Sequence, residues 1–282
     1  MADKKYSHGC KYSHKMRTFE SMITIDEIAA IVKEAAKLMK HEGFNVMHKG
    51  TVANLVTSSD IAVQHFLTER LADLLPGSGF LCEEEDVEEL SHEYVWIIDP
   101  IDGTANYARG LSDCAISVGL EHNGEIIAGV VYSPDRGELY TAEKGRGAFC
   151  NGKPIHVTRR PFEEGIICTA MSTYRKEFAK ACSDIIFDVF MDCNDFRRFG
   201  AASVELCLIA SGYADLYFEM RLQPWDYAAS SLILQEAGGV ICDFDGAFPS
   251  LRKASLVLAA TSEKDLSRLL EAVHRHLPAL PY

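Results

Sequence analysis

Positive charge is scarce in this chain, and so are long apolar runs and paired cysteines. There are 28 lysines and arginines against 41 acids, a net charge of −13. Such a chain has no broad basic face with which to meet nucleic-acid phosphates, so general nucleic-acid binding is not expected. No window approaches the roughly 20 apolar residues of a membrane-crossing helix, and no membrane partner is expected. The opening Met1-Ala2-Asp3-Lys4-Lys5-Tyr6 leads into polar, histidine-rich sequence rather than an apolar segment, so it does not read as a secretory leader. None of the nine cysteines forms a CxxC pair, which argues against a thiolate metal site, and their odd number suits a reducing cytoplasm. What is present is 282 residues, 48% apolar and 24% charged. That is enough for a large core or two fused subdomains.

The most informative segment is Asp99-Pro100-Ile101-Asp102-Gly103-Thr104-Ala105-Asn106. It follows Tyr94-Val95-Trp96-Ile97-Ile98, a run suited to a strand buried on both faces. Pro100 has no N–H to donate, so regular pairing is expected to end there. A tight turn through Pro100 and Gly103 folds Asp102 back toward Asp99 and leaves carbonyls free, the oxygen-rich arrangement that hard divalent cations favour. An Asp-Pro…Asp-Gly surface turn has the same composition. Three further segments run from apolar or turn residues into acid: Leu55-Val56-Thr57-Ser58-Ser59-Asp60, Phe80-Leu81-Cys82-Glu83-Glu84, and Pro224-Trp225-Asp226. Each acid alone is compatible with a solvated charge or a helix cap.

Together these segments resemble the inositol monophosphatase family of magnesium-dependent, lithium-sensitive phosphatases. The resemblance includes Gly145–Gly152 and Arg198–Ala202 and spans about Thr24 to Ala260. It implies that Asp99 bridges two metal ions. Glu83 and the carbonyl of Ile101 would complete the protein ligands of the first, and Asp102 and Asp226 those of the second. Asp60 and Thr104 would orient and deprotonate the attacking water. Thr104 could equally cap the following helix, whose first N–H groups, with Gly103, would face a bound phosphate. Five acids carry about five negative charges and a phosphate monoester adds nearly two, so the substrate needs cations to enter. Two or three Mg2+ ions supply roughly four to six positive charges, and Mn2+ is a possible substitute; an all-oxygen ligand set favours magnesium over zinc.

For the organic part of the ester, the resemblance points to Glu219 as acceptor of substrate hydroxyls and to Ala202, whose small side chain lets a ring approach a helix start. Arg197, Arg198 and Arg221 are nearby cations that are more often structural than substrate clamps. Asn54 and Cys82 depart from the family pattern; Cys82, beside Glu83, is either a point of oxidation sensitivity or an inert buried thiol. The activity implied is hydrolysis of a small polyol or sugar phosphate, inositol 1-phosphate first. Fructose 1,6-bisphosphate, histidinol phosphate, 3′-phosphoadenosine 5′-phosphate and NADP are alternatives. A regulatory binding protein on an inactive phosphatase fold is the non-enzymatic alternative. A homodimer and inhibition by lithium are also implied.

The implied fold is an α/β (α+β) class, a layered α-β-α-β-α sandwich of the inositol monophosphatase and fructose-1,6-bisphosphatase type. Residues 1–22 read as a disordered arm, 23–152 as an N-terminal α+β subdomain and 153–282 as a C-terminal α/β subdomain, with the site at their junction. Thr24 and Glu27 predict a capping box opening a helix to about Glu42, and a second helix is expected after Asp60. Strands are predicted at 94–98, 114–121, 125–133 and 138–142, as a meander with helices on one side. Asn123-Gly124 should form a hairpin turn. Later elements are an apolar run at 165–170, helices at 178–190, 201–211, 225–237 and 262–274, and strands at 214–218, 240–243 and 255–260.

Overall fold

The computed structural model describes residues 23–39, 45–48, 55–84 and 92–280. The N-terminal arm and Asn54 lie outside them. Thr24 and Glu27 form the expected reciprocal cap, Thr24 N–H to Glu27 Oε2 at 2.8 Å and Glu27 N–H to Thr24 Oγ1 at 3.3 Å, and open α1 (Ile25–Ala35). Helical spacing then turns Ile28, Ala29, Ile31, Val32 and Ala35 inward. The helix stops short of Glu42, its end tightened by a 3-10 turn over Ala36–Leu38. A short antiparallel pair follows, β1 (Val46–His48) with β2 (Leu55–Thr57). α2 (Ser58–Leu74) begins before Asp60 rather than after it, because the Thr57 hydroxyl accepts the N–H groups of Ser59 and Asp60.

A seven-stranded sheet then runs in chain order: β3 (Gly79–Cys82), β4 (Tyr94–Asp102), β5 (Ala115–His122), β6 (Glu125–Ser133), β7 (Glu138–Glu143), β8 (Ala148–Cys150) and β9 (Lys153–Ile155). The division expected after residue 152 falls in the β8–β9 turn. Only β3 and β4 are parallel; the rest is the predicted meander. Asn123 and Gly124 make the β5–β6 turn with φ of 51° and 90°. β4 does not end at Pro100. It continues to Asp102 through a register shift against β5 between Asp99 and Asp102, and the turn α3 (Thr104–Tyr107) follows.

The second sheet has the order β11-β10-β12-β14-β13: β10 is Ile166–Thr169, β11 Asp195–Arg197, β12 Leu216–Leu222, β13 Val240–Cys242 and β14 Ser255–Ala260. Its helices are α4 (Ala179–Phe190), α5 (Ala202–Ala210), α6 (Pro224–Glu236) and α7 (Glu263–His276). Side-chain alternation along the strands sets the layers. Trp96, Ile98, Val118 and Val130 face α1 and α2, whereas Val95, Ile97, Val131 and Ala142 face α5 and α6. From the second sheet Cys168, Tyr217, Val257 and Ala259 meet the same middle helices, while Leu216, Phe218, Leu256 and Leu258 face α4 and α7. The result is the α-β-α-β-α sandwich. The first sheet therefore carries helices on both faces, not one, the second face being covered by α5 and α6 from the later half of the chain.

The middle layer sits unusually close to the first sheet. A Cβ on Gly129 would lie 2.6 Å from the carbonyl oxygen of Ala229, and one on Gly119 would lie 3.3 Å from the Ala228 side chain. Strand glycines opposite helix alanines let α6 settle against β5 and β6, which fixes the height of Asp226 at its start.

Candidate active site

Strand pairing brings the first two acids together. β3 and β4 run parallel with Cys82 opposite Ile98, so Glu83, just past the end of β3, stands beside Asp99 of β4, its N–H bonded to the Ile98 carbonyl at 3.3 Å. Asp99 is 2% exposed, and its Oδ1 accepts the N–H of Ile101 at 3.0 Å. The register shift turns Asp102 to the same side. Gly103 makes the turn at φ +85°, where a Cβ would meet the Asp113 carbonyl at 2.9 Å.

Asp226 arrives from the other half of the chain. Pro224 occupies the first turn of α6, and Asp226 Oδ2 accepts the N–H of Gln223 at 2.7 Å. Carboxylate oxygens of Asp99, Asp102 and Asp226 all lie within 4.8 Å of one another. The three acids, Glu83, Ile101, Gly103, Thr104, Ala202 and Glu219 line one cleft. Of the predicted site residues only Asp60 is not part of its lining. It stands behind the cleft, fully buried, and reaches it through the Thr104 hydroxyl, which is 3.3 Å from Asp60 Oδ1 and 3.1 Å from the Ile101 carbonyl. The second Asp60 oxygen accepts the Thr57 N–H at 2.9 Å and the Thr57 hydroxyl at 2.5 Å. Thr104 does not cap α3. The cap position is Gly103, and the Thr104 hydroxyl points to Asp60 and Ile101 instead.

Burial and mutual repulsion set the electrostatics. Asp99 is pushed well above the ordinary carboxylate range, first by burial and then by the charges of Glu83, Asp102, Asp226 and Asp60. Asp226 is raised by burial and by Asp102 and Glu83. Asp102 is pushed up to about 6 by burial, held from going higher by hydrogen bonds from Ser203. Those bonds, from the Ser203 N–H at 2.7 Å and its hydroxyl at 2.5 Å, place Asp102 on the N-terminus of α5. The start of that helix, expected to meet substrate, thus already holds a carboxylate, while Gly200, Ala201, Ala202 and Glu205 around it line the cleft. Oxygen donors alone converge here, and a divalent cation would relieve the mutual repulsion of the three clustered carboxylates. The donor set therefore fits a hard divalent ion such as Mg2+.

Glu219 lies within β12, accepts the Tyr217 hydroxyl at 2.7 Å, and is pushed up to about 7 chiefly by burial. Arg198 borders the cleft and bonds Thr173 Oγ1 at 3.1 Å, whereas Arg197 pairs with Asp195 at 2.5 Å and lies outside it. Cys82 is buried at the end of β3, the environment of an inert thiol. Two contributors, Glu205 and Tyr174, escaped the sequence reading, and a third, Asn106, stood in the key segment without an assigned role. Glu205, 1% exposed, accepts the N–H groups of Phe199 and Gly200 and holds the loop before α5; burial and Glu219 push it up to about 8. Asn106 donates to the carbonyls of Asp113 and Phe199, tying the two halves together. Tyr174 lines the mouth of the cleft. A buried acid in the apolar run after Gly200 was the one available signal for Glu205; nothing in sequence singles out Tyr174.

Comparison with known proteins agrees with this geometry. The inositol monophosphatase family model matches residues 16–278. The Nus factor SuhB of Pasteurella multocida is 35% identical over 212 residues, 73% of this chain and 78% of that protein. Among solved structures, the extragenic suppressor protein suhB from Bartonella henselae superposes with a TM-score of 0.81 at 31% identity, over 88% of this chain and 97% of that one. The Thermotoga maritima IMPase gives 0.80 at 27% identity, over 90% and 98%. Among the described residues, no helix is long and apolar enough to cross a membrane.

Proposed function

This chain belongs to the inositol monophosphatase family, and on that footing we propose that it is a magnesium-dependent phosphomonoesterase acting on a small polyol or sugar phosphate, inositol 1-phosphate first. The observation that carries the reading is the meeting of Asp99 and Asp102, from the end of one strand, with Asp226 from the start of a distant helix, all within 4.8 Å. Asp99, Asp102, Asp226, Glu83 and the Ile101 carbonyl would hold the ions. Bound there, magnesium would polarise the phosphoryl oxygens, lower the pKa of water and stabilise the leaving alkoxide.

The chain's own residues supply the rest. Thr57 pins one oxygen of Asp60, leaving the other to face Thr104. Thr104 gives its hydroxyl proton to Asp60 while its oxygen accepts from the attacking water, so the water's proton has a defined path out. As the water oxygen bonds to phosphorus the ester P–O bond breaks, and the alkoxide leaves toward Glu219 and Ala202 and takes its proton from a solvent water in the open cleft. Backbone groups of Gly103 and Thr104 border the position of the phosphate.

The test is phosphate release over inositol 1-phosphate, fructose 1,6-bisphosphate, histidinol phosphate, 3′-phosphoadenosine 5′-phosphate and NADP, with Asp99→Asn as control. One strong, magnesium-dependent substrate lost in the control supports the reading; silence on all of them, with magnesium still bound, removes it. Millimolar lithium should inhibit, Mn2+ should substitute in part, and sedimentation should show a homodimer of two 31.3 kDa chains. Relatives named Nus factor favour a second reading, a non-catalytic binding role on the same fold, which predicts that Asp99→Asn leaves that role intact.

A further inference from the structure

The phosphatase reading accounts for the floor of the cleft but not for its mouth, where the chain between β10 and α4 makes two consecutive tight turns. The Ser172 carbonyl accepts the Arg175 N–H at 3.1 Å and the Arg175 carbonyl accepts the Phe178 N–H at 2.9 Å. Ser172 takes φ +50°, a conformation that L side chains rarely adopt. The loop is pinned on both sides. Thr173 receives Arg198 at 3.1 Å, the Arg175 guanidinium lies 5.0 Å from the centre of the Phe178 ring, and Phe178 is itself buried in the outer core. Tyr174 thereby stands at the third position of the first turn, 62% exposed, yet on the wall of the cleft that holds Asp99, Asp102 and Asp226.

We propose that Tyr174 selects the organic part of the ester, its ring forming a stacking wall for one face of a cyclic polyol or sugar while Glu219 takes the hydroxyls of the opposite side. The inference rests on the phosphatase reading and narrows its substrate class to cyclic esters. A large aromatic ring held open to solvent beside so acidic a site contributes little to folding, and its natural partner is the apolar C–H face of a rigid ring. Ala202 and Leu222, both small or apolar, complete the enclosure. An acyclic phosphate presents no such face and gains nothing from the wall.

Steady-state phosphate release at saturating magnesium decides the matter, with inositol 1-phosphate and glycerol 2-phosphate compared in wild type, Tyr174→Ala and Tyr174→Phe. The Ala variant should raise KM for the cyclic ester by about tenfold while kcat stays within about twofold. Its constants on the acyclic ester should be unchanged, and Phe should restore the cyclic KM. Equal losses on both esters, no loss on either, or failure of Phe to restore would overturn the assignment with wild type active. A wild type that releases phosphate from neither ester would instead overturn the phosphatase reading, and this inference with it.

Discussion

The starts of α1 and α6 share one local design and end with opposite electrostatics. In both, an acid three residues past the cap accepts the backbone N–H of the cap residue: Glu27 from Thr24 at 2.8 Å, and Asp226 from Gln223 at 2.7 Å. Glu27 is solvated, and the hydrogen bonds from Thr24 hold its carboxyl below the usual range. Asp226 makes the same bond, yet burial and the charges of Asp102 and Glu83 push it well above that range. The local geometry is constant and the environment reverses the sign. A cap on the outer helix layer leaves its acid in solvent, whereas a cap at the junction of two sheets holds its acid among the carboxylates of the cleft.

The contrast breaks most visibly on replacement of Asp99, which has no capping duty and sits at the centre of the repelling group. Asp99→Asn should cut magnesium-dependent phosphate release by about 10³-fold, roughly 4 kcal/mol in the barrier, while the metal-free protein melts no lower than wild type because a buried charge is gone. A fall in metal-free Tm together with retained activity would refute the assignment of Asp99 to the site.

Next in size is the contact that sets the height of Asp226. Gly129→Ala puts a Cβ 2.6 Å from the Ala229 carbonyl, an overpacking expected to cost about 1–3 kcal/mol. Thermal unfolding should show it, and magnesium titration should show weaker binding, because α6 moves with Asp226 at its start. An unchanged Tm would mean that α6 does not depend on this approach.

The pH dependence follows from the raised carboxyls. Asp102 rises from 3.8 to about 6 on folding, so the folded state holds more protons than the unfolded one between those values. Its contribution to stability is present at acid pH and is lost as pH rises through 6. Metal binding should reverse this. The gain in Tm on adding Mg2+ should be larger at about pH 7.5 than at about pH 5.5. Equal gains at both would show that these acids do not hold the ion.

The smallest effect should be Glu27→Gln. It should lower Tm slightly through the cap of α1, with no change in turnover or magnesium affinity. Any loss of activity would contradict the division between the two caps.

The same division shows what was legible in sequence. The Thr24 and Glu27 box, the Asn123-Gly124 hairpin and the strands Glu125–Ser133 and Ser255–Ala260 rest on local signals, and the structure has them where those signals placed them. The Thr57 cap was local too but went unread, so α2 was expected one turn late. Pro100 misled for a physical reason: a proline without a donor is accommodated by shifting the β4–β5 register rather than by ending the strand. Single-residue features such as Glu205 holding the turn before α5, or Tyr174 at the tip of a loop, depend on what lies across the cleft and have no periodic signature.

By itself the sequence determined the acids and their attachment to strand ends and helix starts, because backbone pairing and capping act over a few residues. It also determined the layered class, through the family its motifs resemble. The resemblance already implied that Asp226 joins Asp99 and Asp102 and that Asp60 works with Thr104; only the tertiary structure decided that α5 begins on a carboxylate, that Glu205 holds the loop before it, and that Asp60 stands buried behind the cleft. Those outcomes come from burial between two sheets, where distant segments share one desolvated space and each charge is set by the others.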